Sequence, residues 1–193
     1  MEIFKKAELN FGTLYYFNDY YSKNRFTDFS ISSDARKFRE AVWKFKDGRP
    51  DRDTWQLMSV LADWIKENIP AETGEWGFIP CPTSCEQTYR SRYSALLNML
   101  RARMPKLHIL NNLIRYTGHK VPKHLGGAGT AVEAGIFRFT APADCKNIIV
   151  FDDLVSSGKT MGQFANLLNI CRNKNLCFCS FGRTCTGNKL QKL

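Results

Sequence analysis

Two adjacent carboxylates, Asp152 and Asp153, follow the apolar run "NIIVF" and precede a turn of small residues, Val155-Ser156-Ser157-Gly158-Lys159-Thr160. Each half of this arrangement suits a particular chemistry. A small-residue turn that opens a helix presents free N–H groups, and these bind phosphate. Two acids at the end of a buried strand, before the loop, face neutral hydroxyls rather than phosphate, and a vicinal ribose diol is a natural partner for them. The spacing fits a ribose 5-phosphate.

Gly158-Lys159-Thr160 could also close an ATPase phosphate loop. That loop needs a glycine five positions before Gly158, so that the backbone can wrap the β-phosphate. The residue there is Asp153, which lacks that backbone freedom and repels phosphate. Only 40 residues follow Asp153, too few for an ordinary nucleotide-hydrolase sheet.

The elements that must position these residues are legible from periodicity. "NIIVF" reads as a fully buried strand, and Thr160 to Cys171 as a helix with Phe164, Leu167 and Leu168 inward. "LCFCSF" closes as a strand. Upstream, "WGFIPCP" is a short strand broken by Pro80 and Pro82. A helix follows, with Tyr89, Tyr93, Leu96, Leu97, Leu100 and Met104 on its inner face. "KLHIL" and "GIFRFT" are further strand candidates, and Thr117 to Thr130 has neither period and reads as a mobile loop. Strands alternating with helices imply an α/β fold with a parallel sheet.

The front of the chain is mainly helical. Phe38, Val42 and Phe45 share one face of a helix from Ser33 that stops near Asp47. Asp53 is the expected N-cap of a second helix, whose inner face carries Trp55, Met58, Leu61, Ala62 and Ile65. "GTLYYFNDYYSKNRF" reads as a short hairpin or an irregular segment. The chain thus divides into an N-terminal helical or hood segment, 1–72, and an α/β core, 73–193.

The 193-residue chain has a formal charge of +10, unevenly placed. Gln87 to Val132 contains no acid, and none follows Asp153. Such asymmetry suits a polyanionic partner, either nucleic acid or a multiply phosphorylated small molecule, or else a solubilising surface. Seven cysteines lack the paired spacing of structural zinc and read as reduced thiols. With no long apolar run and no secretory-signal pattern, the expectation is a cytoplasmic protein with no membrane partner.

Asp152 through Thr160 resembles, position by position, the signature of the type I phosphoribosyltransferases: an apolar strand, two acids, two linking residues and a Thr/Ser-Thr-Gly-x-Thr turn. The resemblance implies a Rossmann-like phosphoribosyltransferase fold. It assigns Asp152 and Asp153 to the ribose hydroxyls of 5-phosphoribosyl-1-pyrophosphate (PRPP), with Val155, Ser156, Ser157, Gly158, Lys159 and Thr160 around the 5-phosphate. Lys159 departs from the small residue usual at its position. "VWKFKDGRPD", "IPCPTSCEQTYRSRY", "LIRYTGHKVPKHLGG" and "SFGRT" further resemble the competence protein F (ComF) branch, related to amidophosphoribosyltransferase-type domains. The paired N-terminal cysteines often found in that branch are absent, and "SRYSA" stands where Arg-Gly-Phe-Asn-Gln is usual.

By that likeness Thr83 and Ser84, with Arg90 or Arg92, contact pyrophosphate. Lys120, Lys123 and His124 lie on a flexible loop that closes over the site, and magnesium enters with PRPP rather than through direct protein ligands. The implied reaction moves the phosphoribosyl group to a nitrogenous acceptor of unknown identity, whose pocket would be shaped by variable N-terminal segments such as "LYYFNDYY". The alternative is a non-catalytic PRPP-sensing or single-stranded-DNA-handling module in competence.

Overall fold

The computed structural model describes residues 4–28, 30–121, 129–140, 145–170 and 174–185. In chain order it has strands β1 (Lys5–Leu9) and β2 (Gly12–Tyr20), helices α1 (Ser33–Lys46) and α2 (Arg52–Asn68), and strand β3 (Trp76–Pro80). Helix α3 (Glu86–Arg103) and the short strands β4 (His108–Ile109), β5 (Ile114–Tyr116) and β6 (Phe137–Phe139) follow. The chain then forms β7 (Asn147–Val155), α4 (Lys159–Ile170) and β8 (Asn175–Thr184).

Six strands form one sheet in the order β1-β2-β8-β7-β3-β4. Every neighbouring pair is parallel except β1 with β2, which form an antiparallel hairpin at one edge. This is a mixed α/β architecture with a mostly parallel, Rossmann-like sheet. β5 and β6 stand apart as an antiparallel two-stranded ribbon.

The middle stretches of the central strands, Ile148 to Phe151 of β7 and Phe178 to Phe181 of β8, are buried because both faces are covered. On one face Phe45 of α1 meets Phe181 edge-on with ring centroids 4.8 Å apart, and Tyr93 of α3 meets Phe151 at 6.2 Å. Trp64 of α2 stacks on Phe4 at 4.7 Å. Strand alternation sends Phe178 to the other face from Phe181. There it meets Phe11, which in turn abuts Gly162 of α4. Phe164 of α4 also contacts Phe137 and Phe139, seating the ribbon beside the sheet.

Helix starts follow local chemistry. Ser32 caps α1 by accepting the Ala35 N–H at 3.1 Å. The cap of α2 is Asp51, which accepts from Thr54 N–H at 3.0 Å, two residues earlier than the expected Asp53. Starting the helix there brings Thr54 inward, buried against the Ala41 carbonyl. Trp55, expected inward, is 45% exposed, and Leu57 takes the inner position instead. "GTLYYFNDYY" is the second strand of a hairpin, with Leu14, Tyr16 and Tyr20 buried. Among the described residues no helix is long and apolar enough to cross a membrane.

Candidate active site

β3 and β7 run side by side, pairing Pro80 with Phe151, so both end at the same edge of the sheet. In open parallel sheets that carboxyl edge is where ligands bind. A hollow of about 590 Å³ lies there, within the usual range of small-molecule sites. It is bordered by the end of α1, the loop before α3, the first turns of α3, Lys120, Gly129 to Ala131, and Asp152, Asp153, Leu154 and Thr160.

The two acids lie inside β7, not after it, since the strand pairs with β8 as far as Val155. Their surroundings differ sharply. Asp153 is buried, with Arg92 Nη1 donating to its Oδ2 at 2.8 Å and Lys46 Nζ 3.4 Å from its Oδ1. Asp152 is half-buried and accepts the Asp153 N–H at 2.9 Å, without an ion pair. Burial, and next the neighbouring charge of Asp153, push the Asp152 carboxyl up to about 7, against the opposing pull of Lys46 and Arg92. Burial, the largest single influence, pulls Arg92 down, but Asp153, Tyr93 and Asp152 together outweigh it and raise the guanidinium above its ordinary value.

After Val155 the chain makes the small-residue turn. Gly158 has φ +76°, a left-handed conformation that favours glycine, and a Cβ there would lie 3.0 Å from the Phe11 ring. The tip of the β1–β2 hairpin therefore supports the turn from beneath. Ser156 and Ser157 are exposed, and Thr160 reaches the hollow. Lys159 turns away to Glu133, with Nζ 2.6 Å from Oε1. Glu133 also accepts from Thr130 N–H at 2.8 Å and from Gln163 Nε2 at 3.0 Å. The hydrogen bond from Lys159, then those from Gln163 and Thr130, hold Glu133 down to about 2. Lys159 thus ties the turn before α4, through Glu133, to the far end of the Thr117 to Thr130 segment.

Thr83 and Ser84 both border the hollow. The Thr83 N–H is already donated to Tyr116 Oη at 2.8 Å, and its hydroxyl donates to the Cys85 carbonyl at 2.9 Å. The Ser84 carbonyl accepts the Lys120 N–H at 2.8 Å, docking the start of the loop at the cleft. Lys123 and His124 lie outside the described residues. Arg92 faces the acids, whereas Arg90 folds back on Glu86 one turn earlier, with Nη2 2.5 Å from Oε1, and borders a separate hollow.

Lys46 and Asp47 at the end of α1, Thr88 and Ser91 on α3, and Gly129 to Ala131 also border the cleft. None of these is among the site residues read from sequence, although Lys46 and Asp47 sit in "VWKFKDGRPD", Thr88 and Ser91 in "IPCPTSCEQTYRSRY", and Gly129 and Thr130 in the Thr117 to Thr130 loop. "LYYFNDYY" contributes nothing to the lining, because its alternate side chains are spent on the sheet. Three cations, Lys46, Arg92 and Lys120, and three acids, Asp47, Asp152 and Asp153, share the hollow. Its own formal charge is therefore balanced. Among the described residues no group of three or more His, Cys, Asp or Glu side chains could hold a metal ion. The chain matches no protein-family model, and no curated protein is significantly similar to it.

Proposed function

We propose that this protein binds PRPP together with magnesium and transfers the phosphoribosyl group to a nitrogen nucleophile, releasing pyrophosphate. One observation carries the reading: the acid pair, Thr160 at the end of the small-residue turn, Ser84 and Arg92 border one hollow at the carboxyl edge of parallel strands. In this reading Thr160 and the turn N–H groups hold the 5-phosphate, and Asp152 accepts from the ribose diol. Ser84 and Arg92 face the pyrophosphate. The bond from C1 to the pyrophosphate oxygen breaks with its electron pair on the leaving group, a C1–nitrogen bond forms, and the nucleophile's proton passes to solvent.

A cleft of balanced charge does not by itself neutralise a substrate with several negative charges. Magnesium supplies that screening when bound. The carboxylate with room for it is Asp152, which lacks a cation partner, so the ion would be held chiefly by substrate oxygens.

Titration calorimetry with PRPP, with and without magnesium, tests the reading against ribose 5-phosphate and ATP. Magnesium-dependent binding of PRPP in preference to ATP is expected. Binding of ATP alone would overturn it in favour of an ATPase-type loop. The single-stranded-DNA alternative rests on the acid-free charge of residues 87–132, and two of those arginines are already ion-paired, Arg90 with Glu86 and Arg103 with Asp63. That pairing favours the small-molecule reading.

A further inference from the structure

The two acids differ in what they have left to offer a ligand. Both oxygens of Asp153 are engaged, one by Arg92 and the other by Lys46, and its side chain is 4% exposed. To take a ribose hydroxyl it would have to exchange a charge-assisted contact for a weaker neutral one. Asp152 faces no such exchange. Meanwhile the two cations that flank this carboxylate both reach the hollow, with side chains 26% exposed for Lys46 and 19% for Arg92.

The end of α1 is also held firmly at this place. Arg92 Nε donates to the Lys46 carbonyl at 3.4 Å, so one guanidinium bridges α1, α3 and β7. Two residues on, Gly48 has φ +67°, and a Cβ there would lie 2.6 Å from the Ser91 carbonyl oxygen. Only glycine lets the chain leaving α1 press so closely on α3. Lys46 therefore stands on the α1 and α3 side of the cleft, which Thr83 and Ser84 also border.

We infer that Lys46 contacts the pyrophosphate of the bound phosphosugar, and that Asp153 is a positioning residue holding Lys46 and Arg92 for that anion instead of a second ribose contact. The inference rests on the PRPP reading and deepens it. It also gives α1, outside the motif-bearing strands, a direct part in ligand recognition.

The test is calorimetry of the full chain with magnesium pyrophosphate and, separately, ribose 5-phosphate. Lys46→Met is expected to weaken pyrophosphate binding by about tenfold, the loss of one charged hydrogen bond, with ribose 5-phosphate held within about twofold. Lys46→Arg is expected to restore most of the pyrophosphate affinity. Asp153→Asn should share the Lys46→Met pattern, while Asp152→Asn weakens ribose 5-phosphate instead. Because Asp153→Asn disturbs a buried ion pair, the partly exposed Lys46 variants decide the matter if it fails to fold. Unchanged pyrophosphate affinity in Lys46→Met, with the wild type binding both ligands, overturns the inference alone. A wild type that binds neither ligand overturns the PRPP reading and the inference with it.

Discussion

Asp152 and Asp153 are neighbours in the chain with opposite electrostatic surroundings, and this difference has a consequence in pH. Folding raises the Asp152 carboxyl to about 7, so the folded protein binds a proton there that the unfolded chain releases near 4. The stability contributed by neutral Asp152 is fully present below about pH 4 and is lost as pH rises through about 7. Thermal melts from pH 5 to 8 should therefore show wild type losing stability relative to Asp152→Asn, which holds a neutral group throughout. At Lys159 the expected effect is small. Its contact with Glu133 is exposed, so Lys159→Met should leave the urea midpoint nearly unchanged.

Between secondary structure elements, the hairpin tip and the turn around Gly158 are packed as one unit through Phe11. A Cβ on Gly162 would lie 2.6 Å from the Phe11 ring, and one on Gly158 would meet both that ring and an unfavourable positive φ. Gly162→Ala should destabilise by about 1–3 kcal/mol through overpacking, and shortening the ring with Phe11→Leu should relieve much of it. Gly158→Ala should not be relieved to the same extent, because about 1 kcal/mol or more of its cost is backbone strain. Urea unfolding of the two double mutants separates these causes. At the start of α2, Asp51→Ala should cost about 1 kcal/mol, the worth of an N-cap, with Asp53→Ala near neutral.

Across the whole molecule, Arg92 links helix α1, helix α3 and the central strand β7. Replacing it with Met leaves Asp153 buried with only Lys46 beside it. Removing one partner of a buried pair costs about 3–5 kcal/mol, so Arg92→Met should lower the urea midpoint markedly. Arg39 plays a comparable part at the other end of α1. It is fully buried, pairs with Asp28 and donates to the carbonyls of Tyr21 and Phe26 at 3.3 Å. This anchors the irregular segment between β2 and α1, for which periodicity offers no description. The Arg92 change should lower both stability and anion binding.

Local chemistry made much of this readable from sequence. The apolar run of β7 can only be a buried strand, and the small residues from Ser156 to Gly158 can turn sharply into α4. The inner face of α3, from Tyr89 to Leu100, follows from helical spacing alone. Other features depend on partners distant in the chain. Strand periodicity cannot say that β2 pairs with β8, more than 150 residues away, or that β6 leaves the main sheet for a ribbon with β5. Nor can helical spacing distinguish Asp51 from Asp53 as a cap, or turn Trp55 outward, because the orientation of α2 is decided by what it packs against. The pairing of Asp153 with Lys46 and Arg92 brings together residues 107 and 61 positions apart. Sequence by itself determined the strand, the turn and the chemistry of their side chains; tertiary packing decided which carboxylate remains open to a ligand, because charge pairing depends on distance in space.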